Sequence, residues 1–244
     1  MADYIKYEKV QNLNVITRFL HSYRYSWILS IFKKLSKELN HKTITVVDIG
    51  CGPCKLFKIL SDNSLPINYI GIEPHDEFVE TSIKRYGEMK NFQIIKGVAE
   101  EIIPKLDQKI DIFTGLESFE HIPEYLVPNL LRCISAKNPK IFACSVPVEV
   151  GPAIWIKNIG SKIMGHQRYK EYKWSETFWA GLYQLDRVAP HGVGHKGFDW
   201  RWLKHNIRQT MKITSISKSP FSFIPAAFAP SICFTSVPLK NVIN

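Results

Sequence analysis

The stretch over residues 46–56 constrains the fold more than any other part of the chain. Its first four residues are apolar and β-branched apart from Asp48, which predicts a buried strand, and the helical stretch Lys55–Leu60 follows after a turn. Gly50 and Gly52 let the turn bend sharply and approach a ligand closely. In an α/β sheet this arrangement presents backbone N–H groups and a helix N-terminus at the carboxyl edge of the strands. The stretch therefore predicts a ligand site at that edge.

Three further segments follow this turn at informative spacings. Dinucleotide sites and S-adenosylmethionine (SAM) sites both use such a turn, so the downstream segments must distinguish them. A second strand, Asn68–Ile72, ends at Glu73–Pro74, where an acidic residue meets a ribose. Gly97–Glu100 follows the third strand, and Asp111–Pro123 contains the fourth strand and its turn. With these four ordered motifs, residues 43–147 resemble the class I SAM-dependent methyltransferases.

The resemblance implies a cofactor, a reaction and a set of site residues. SAM is the expected cofactor, Glu73 the ribose-binding acid, and Gly97–Glu100 the loop around the adenine. The residues expected at the cofactor are Asp48, Gly50, Cys51, Gly52, Glu73, Pro74, Val98, Ala99, Leu116, Glu117 and His121. In-line transfer of a methyl group from a sulfonium needs alignment and exclusion of water more than covalent help.

Two positions depart from the family pattern. Cys54 stands where the third small residue of the turn is usually glycine, and Val98 stands where the adenine loop usually has aspartate. The second departure removes a carboxylate that would accept a hydrogen bond from the adenine amino group. The backbone N–H of Ala99 remains available to the ring.

The pattern predicts one α/β domain with a doubly wound, Rossmann-like, seven-stranded sheet. The resemblance implies that the last strand is antiparallel and inserts between strands five and six. The predicted strands are Thr43–Val47, Asn68–Ile72, Phe92–Ile95, Ile110–Gly115, Lys140–Val146, 211–217 and 231–237, and Asp76 is the predicted N-cap of the helix after strand two. The domain divides into N-terminal helical cover (1–42), SAM-binding core (43–150), substrate-recognition insertion (151–205) and C-terminal strands (206–244).

The formal net charge of +10 is distributed unevenly along the 244 residues. Residues 1–45 carry +5, residues 46–150 carry −4, residues 151–205 carry +5 and residues 206–244 carry +4. The predicted core is therefore mildly acidic, and the segments around a substrate are basic. This pattern indicates either an anionic substrate or surface, or only a solvated basic exterior.

The insertion over residues 151–205 carries five of the six tryptophans and has poor periodicity. It follows strand five, which places it above the carboxyl edge of the sheet, where long inserts are usually lids or binding loops. We interpret it as the substrate-recognition element; the alternative is a separate hydrophobic cluster without a ligand role. Arg18, His21 and Arg24 of the N-terminal helix are weaker candidates to face the site. Phe221, Phe223 and Phe228 could belong to the core, a substrate wall or a membrane-touching patch, and we expect them in the core.

A hydroxyl acceptor would benefit from a general base. The candidate histidines are His121, assigned to the cofactor wall, with His166, His191 and His195 in the insertion. His195, in a glycine-rich run, is the predicted catalytic residue, although a loop histidine that binds nothing is an equally good interpretation.

No metal ligands are assigned from the sequence. His191, His195 and Asp199 lie four residues apart, but the glycines between them argue against the helix that would align them. Glu117 and Glu120 are the local carboxylates after strand four, and we do not assign them to a metal.

We therefore predict a SAM-dependent methyltransferase for a small-molecule or glycan-type acceptor, with an anionic acceptor favoured and no nucleic acid expected. The alternatives are a nucleic-acid methyltransferase and a non-catalytic SAM-fold binding protein. We see no apolar stretch of about 20 residues and no secretory signal, and the scattered cysteines suit a reducing compartment, so a cytoplasmic protein is expected, with peripheral membrane contact left open.

Overall fold

The structure, a computed structural model, describes residues 15–163, 172–192 and 194–239, without the side chains of residues 15–22, 161 and 163. Its strands are β1 Ile44–Ile49, β2 Ile67–Glu73, β3 Phe92–Lys96, β4 Ile112–Leu116, β5 Ile141–Pro147, β6 Met211–Ser219 and β7 Ser231–Pro238. Its α-helices are α1 Val15–Glu38, α2 Lys55–Asp62, α3 Asp76–Tyr86, α4 Ala99–Ile102, α5 Val127–Ala136, α6 Ala153–Ile163, α7 Trp174–Gly181 and α8 Trp200–Thr210. No helix in these ranges combines the length and apolar character needed to cross a bilayer.

The seven strands form one sheet in the order β3-β2-β1-β4-β5-β7-β6. β1 pairs in parallel with β2 and β4, whereas β7 pairs antiparallel with both β5 and β6. This confirms the predicted doubly wound sheet with its antiparallel last strand between strands five and six. The strand order reverses beside β1 and β4, and ligands of such sheets bind at the carboxyl ends of the strands at this point.

Element boundaries differ from the predicted ones by a few residues. β1 was expected to end at Val47, but it continues to Ile49 because its pairing with β2 extends that far. Asp76 is the first residue of α3 and not its N-cap, since the extended residue His75 (φ −88°, ψ 122°) precedes the helix. Asp76 instead places a carboxylate in the first helical turn, where the helix dipole favours negative charge.

Hydrophobic side chains cover both faces of the sheet. Because successive strand residues point to opposite faces, Val47 and Ile49 pack with α5 and α8, while Ile44 and Val46 pack with α1 and α2. Tyr69 of β2 belongs to the second cluster and is fully buried. The parallel strands are therefore buried on both faces, which explains their continuous apolar runs.

The described part of the insertion has its own small hydrophobic cluster, formed by Ile154, Tyr172, Ala180 and Val188. Thr177 of α7 links it to α6, since its carbonyl accepts from Trp155 Nε1 (3.0 Å) and its Oγ1 from Asn158 Nδ2 (2.8 Å). The insertion therefore contains a hydrophobic cluster separate from the main core. Asp199 caps α8, accepting a hydrogen bond from the Arg201 backbone N–H at 2.8 Å.

The core assignment of the three phenylalanines between β6 and β7 was wrong. Phe223 is 82% exposed, and Phe221 and Phe228 are about half exposed. The segment that carries them contains three prolines and only a short 3₁₀ turn at residues 226–228, so it runs outside the sheet.

Candidate functional site

A cavity of 470 Å³ lies at the carboxyl ends of β1, β2 and β4. Nine of the eleven residues expected at the cofactor line it: Gly50, Gly52, Glu73, Pro74, Val98, Ala99, Leu116, Glu117 and His121. The lining residues outside that set of eleven are Ile49, Ile72, His75, Phe78, Gly97, Glu100, Ser118, Ile122 and Pro123. Most of these are immediate neighbours of the motif residues, so the motifs located the site but not its full wall.

The glycine turn has the backbone conformation that its residues suggested. Gly50 and Gly52 have φ values of +62° and +51°, and a Cβ added to Gly52 would meet no atom within 4 Å. The backbone of Gly52 therefore faces open space. Cys54 also has a left-handed backbone (φ +55°), so it takes the conformation of the glycine it replaces. Its buried Sγ lies 3.6 Å from Cys51 Sγ, and both thiols fill the turn.

The Glu73 carboxylate is held rigidly beside this turn. Its Oε2 accepts a hydrogen bond from the Gly52 backbone N–H at 2.9 Å, and its Oε1 accepts one from the His75 backbone N–H at 3.0 Å. His75 Nδ1 lies 2.6 Å from the same Oε1. Glu73 is almost fully buried at the end of β2 yet lines the cavity, so its carboxylate is oriented before any ligand arrives.

The far side of the cavity is formed by the start of α4. Val98 has an extended backbone and Ala99 begins the helix. Glu100 lines the cavity beside them, and the aromatic ring of Phe78 lies on α3. Glu100 supplies a carboxylate two residues after the valine that replaces the usual acid. The sequence placed Glu100 in the adenine loop, but its orientation depends on the helix start.

Asp48 and Cys51 do not line the cavity. The buried Asp48 carboxylate accepts hydrogen bonds from Tyr69 Oη and Thr114 Oγ1, each at 2.7 Å. Cys51 Sγ packs towards Gly71, where an added Cβ would lie 2.7 Å from the sulfur. Asp48 therefore ties β1 to β2 and β4 behind the glycine turn.

Asp48→Asn is expected to remove a pH dependence of stability. Burial raises the pKa of Asp48 from its ordinary 3.8 to about 6. Between these values the folded state binds the extra proton, so the free energy of unfolding falls by about 2 kcal/mol as pH rises from about 4 to 6. Denaturant unfolding of the wild type and variant should show their difference growing across this range. The exposed Asp107→Asn should show no such change, and parallel profiles for wild type and Asp48→Asn would contradict the expectation.

Arg24 of α1 reaches the wall of the cavity. Its Nη1 lies 3.3 Å from Glu117 Oε1, and both side chains are largely buried. Glu117 follows β4 with a φ of +57°, and its backbone N–H donates to the Ser145 carbonyl at 2.8 Å. Arg24 therefore lies at the wall of the cavity, where the sequence suggested that it would face the site. The side chains of Arg18 and His21 lie outside the described residues.

Glu120, His121 and His195 meet at one edge of the cavity. The donor atoms of these three side chains all lie within 4.8 Å of one another, so they could hold a metal ion. The rings of His121 and His195 are edge to face with centroids 5.3 Å apart. His195 Nδ1 also lies 3.8 Å from Oε1 of the buried Glu149. A histidine beside a carboxylate could accept a proton or bind a cation.

The loop that carries His195 is anchored to the turn after β4. The Gly194 backbone N–H donates to the Glu120 carbonyl at 2.9 Å, and His191 Nε2 lies 3.1 Å from the same oxygen. Behind the loop, Lys196 Nζ donates to Glu176 Oε2 of α7 at 2.8 Å. His191 is therefore a positioning group between backbone carbonyls, while His166 lies outside the described residues.

Electrostatics distinguish the groups at this edge. Burial and the nearby Glu117 carboxylate raise the pKa of Glu120 well above its usual range. Burial lowers the pKa of His121, which favours the neutral imidazole at neutral pH. Glu149 is also fully buried but has a cation nearby, since its Oε1 lies 3.3 Å from Lys157 Nζ.

A second depression, of 640 Å³, borders the cavity and shares Pro123 with it. It is lined by Pro123, Glu124, Tyr125, Pro128, His191, Gly192, Trp202 and Asn206. We call it the aromatic groove. Its lining holds two aromatic rings, one amide and one carboxylate, and no lysine or arginine.

Comparison with known proteins matches the central part of the chain to one family. Residues 47–136 match the family described as methyltransferase domain. The matched range contains the glycine turn, Glu73, the adenine loop and the whole turn after β4. No curated protein matches the sequence.

Solved structures share the fold across nearly the whole chain. A magnesium protoporphyrin IX methyltransferase (ChlM) from Synechocystis PCC 6803, crystallised with bound SAH, is 12% identical, with a TM-score of 0.59 and coverage of 98% of this chain and 95% of that one. A SAM-dependent methyltransferase from Clostridium acetobutylicum ATCC 824 is 10% identical, with a TM-score of 0.60 and coverage of 96% and 98%. The small RNA methyltransferase HEN1 is 18% identical, with a TM-score of 0.59, over 91% of this chain but 25% of that one.

Proposed function

We propose that this chain, whose residues 47–136 match a methyltransferase domain, transfers the methyl group of SAM to a hydroxylated small-molecule or glycan-type acceptor that carries negative charge. The observation that supports this best is the Glu73 carboxylate, fixed beside the glycine turn inside a cavity of 470 Å³. A preorganised acid at the end of β2 is the group that a ribose diol needs.

The cavity residues fit SAM, which supplies a methyl group already activated on a sulfonium. Glu73 would accept from the ribose hydroxyls, and the exposed backbone at Gly52 allows close approach of the cofactor. The Ala99 N–H and the Glu100 carboxylate would bind the adenine ring and its amino group. Glu100 would thus supply the hydrogen-bond acceptor that the Val98 side chain lacks. Asp48 would stabilise the glycine turn without contacting the cofactor.

The aromatic groove is the proposed acceptor site. The rings of Tyr125 and Trp202 can stack on a sugar ring or another flat substrate, and Asn206 and Glu124 can bind hydroxyls. In the reaction, a lone pair on the acceptor oxygen forms a bond to the methyl carbon as the methyl–sulfur bond breaks. That bonding pair would go to sulfur, and the acceptor proton would pass from the oxygen to a water molecule. His121 lines the cofactor cavity at the groove's edge, so the two ligands would meet there.

The groove lining contains no lysine or arginine, so the support for negative charge on the acceptor comes from the rest of the insertion. Residues 151–205 carry a net charge of +5. Among the described cations of this range, five lie over aromatic rings. The shortest distances to a ring centroid are those of Arg187 over Trp179 (4.1 Å) and Arg201 over Tyr183 (4.5 Å). Such pairs place positive charge beside stacking surfaces.

Labelled SAM and a panel of acceptors test this function. We expect methylation of a phosphorylated sugar or nucleotide-linked glycan, with kcat/KM at least tenfold higher than for its dephosphorylated form, because the lost charge would cost more than about 1.4 kcal/mol. Single-stranded RNA is the comparison acceptor. Methylation of RNA with steep salt dependence would contradict the proposed class of acceptor. The absence of SAM binding would contradict the proposal that the protein is a methyltransferase.

A further inference from the structure

The starting observation is a carboxylate buried without a hydrogen-bond donor. Glu120 lies in the 3₁₀ turn Phe119–His121 after β4, is fully buried, and neither of its carboxylate oxygens accepts a hydrogen bond. Its backbone carbonyl is well bonded, to Gly194. Leaving a carboxylate in this state is costly unless it is protonated or has a cation nearby.

Neighbouring carboxylates show what Glu120 lacks. Glu117 forms an ion pair with Arg24 at 3.3 Å, and Glu149 forms one with Lys157 at 3.3 Å. In the described part of the chain, no lysine or arginine forms such a pair with Glu120. Within the described residues, the ionisable nitrogen that pairs with its carboxylate is His121 Nε2, at 4.0 Å from Oε1.

Two imidazoles face the same point. His121 and His195 each bring a ring nitrogen to within 4.8 Å of the other ligand atoms. Bonds from a divalent metal to oxygen and nitrogen are about 2.1 Å long, so opposite ligands span about 4.2 Å. The His121 side chain is half exposed and that of His195 one-third exposed, so small rotations can close the remaining distance.

From this geometry we infer that Glu120, His121 and His195 bind one divalent first-row transition-metal ion, which in turn binds the acceptor oxygen. One carboxylate and two imidazoles suit Mn²⁺, Fe²⁺, Co²⁺ or Zn²⁺ better than Mg²⁺ or Ca²⁺, which prefer oxygen ligands. Three protein ligands leave coordination positions open, as in catalytic sites. The ion would supply the positive charge that the Glu120 environment lacks.

The inference rests on the proposed function and refines its chemistry. An acceptor hydroxyl bound to the ion has a lowered pKa and gives its proton to a water molecule, and the resulting oxyanion attacks the methyl carbon. His195 is then a metal ligand and not the proton acceptor that the sequence suggested. Because His121 lines the cofactor cavity as well, the ion would hold the acceptor oxygen at the junction of the two binding sites.

Mn²⁺ binding to the full chain tests the site without any turnover. After chelator treatment and dialysis, titration with MnCl₂ followed by electron paramagnetic resonance should show one bound ion per chain. Glu120→Gln and His195→Ala should each weaken Mn²⁺ binding at least tenfold. The exposed controls Glu80→Gln on α3 and His205→Ala on α8 should bind Mn²⁺ like the wild type.

Titration with SAH on the same samples separates the two proposals. Variants that lose Mn²⁺ but still bind SAH are folded, so the loss is specific to the metal site. No Mn²⁺ binding to the wild type, or equal binding to both site variants, would overturn the metal site and favour a protonated Glu120. Stoichiometric Mn²⁺ binding without SAH binding would keep the metal site and overturn the methyltransferase function.

Discussion

Glu73→Ala is expected to weaken SAH binding at least about 100-fold relative to the wild type. The carboxylate is buried and oriented by the backbone N–H groups of Gly52 and His75, so a ribose diol would meet an acceptor that needs no rearrangement. Hydrogen bonds to a charged group contribute about 1.5–3 kcal/mol each, and two are lost together. Calorimetric titration with SAH measures the change directly.

Two further variants make this result specific. Glu73→Gln keeps an oxygen for the Gly52 N–H but loses the charge, so its affinity should lie between those of the wild type and the alanine variant. Glu80→Ala removes an exposed glutamate from α3 and should leave the affinity unchanged. Wild-type affinity in Glu73→Ala, with an unchanged circular dichroism spectrum, would show that no ribose binds at Glu73.

The sequence located the cavity that we propose for the cofactor because its wall depends on local backbone geometry. Gly50 and Gly52 adopt positive φ values, as a turn between a strand and a helix requires, and Glu73 ends the next strand. Such positions recur at fixed spacings, since parallel strands bring their carboxyl ends to one edge. The parallel sheet followed from the alternation of strands and helices, and the place of the antiparallel last strand followed from the family resemblance.

Properties that depend on distant packing could not be predicted in this way. Asp48 was expected at the cofactor, yet its side chain is bound by Tyr69 and Thr114, which lie 21 and 66 residues away. Likewise, Glu120 differs from Glu117 only in what the fold places beside it: Arg24 of α1 pairs with Glu117. Neither residue type nor spacing carries that information.

The insertion shows the same limit at a larger scale. Its aromatic content suggested a binding element or a separate cluster, and Tyr172 belongs to such a cluster. Part of what anchors the loop of His195 beside the cavity is a contact between backbone atoms, the bond from the Gly194 N–H to the Glu120 carbonyl. Backbone contacts of this kind leave no pattern in residue type, so the meeting of His121 and His195 appears only in the folded chain.

Arg24→Ala is expected to lower the free energy of unfolding by about 3–5 kcal/mol. Removing one member of a buried ion pair leaves the other charge without compensation, and the Arg24 and Glu117 side chains are only 7% and 19% exposed. Urea unfolding of wild type and variant gives the difference. Lys34→Ala is the matched control, because the pair of Lys34 with Glu38 is exposed and should contribute less than about 1 kcal/mol.

The double variant Arg24→Met with Glu117→Gln tests the physical cause of this loss. If the cost in Arg24→Ala comes from the stranded Glu117 charge, neutralising both partners should recover a large part of the stability, because a buried pair replaced as a unit costs less than a broken one. A double variant as unstable as the sum of the two single variants would instead assign the cost to lost packing of the arginine stem. Since Glu117 lines the cofactor cavity, SAH affinity should follow the same order as stability.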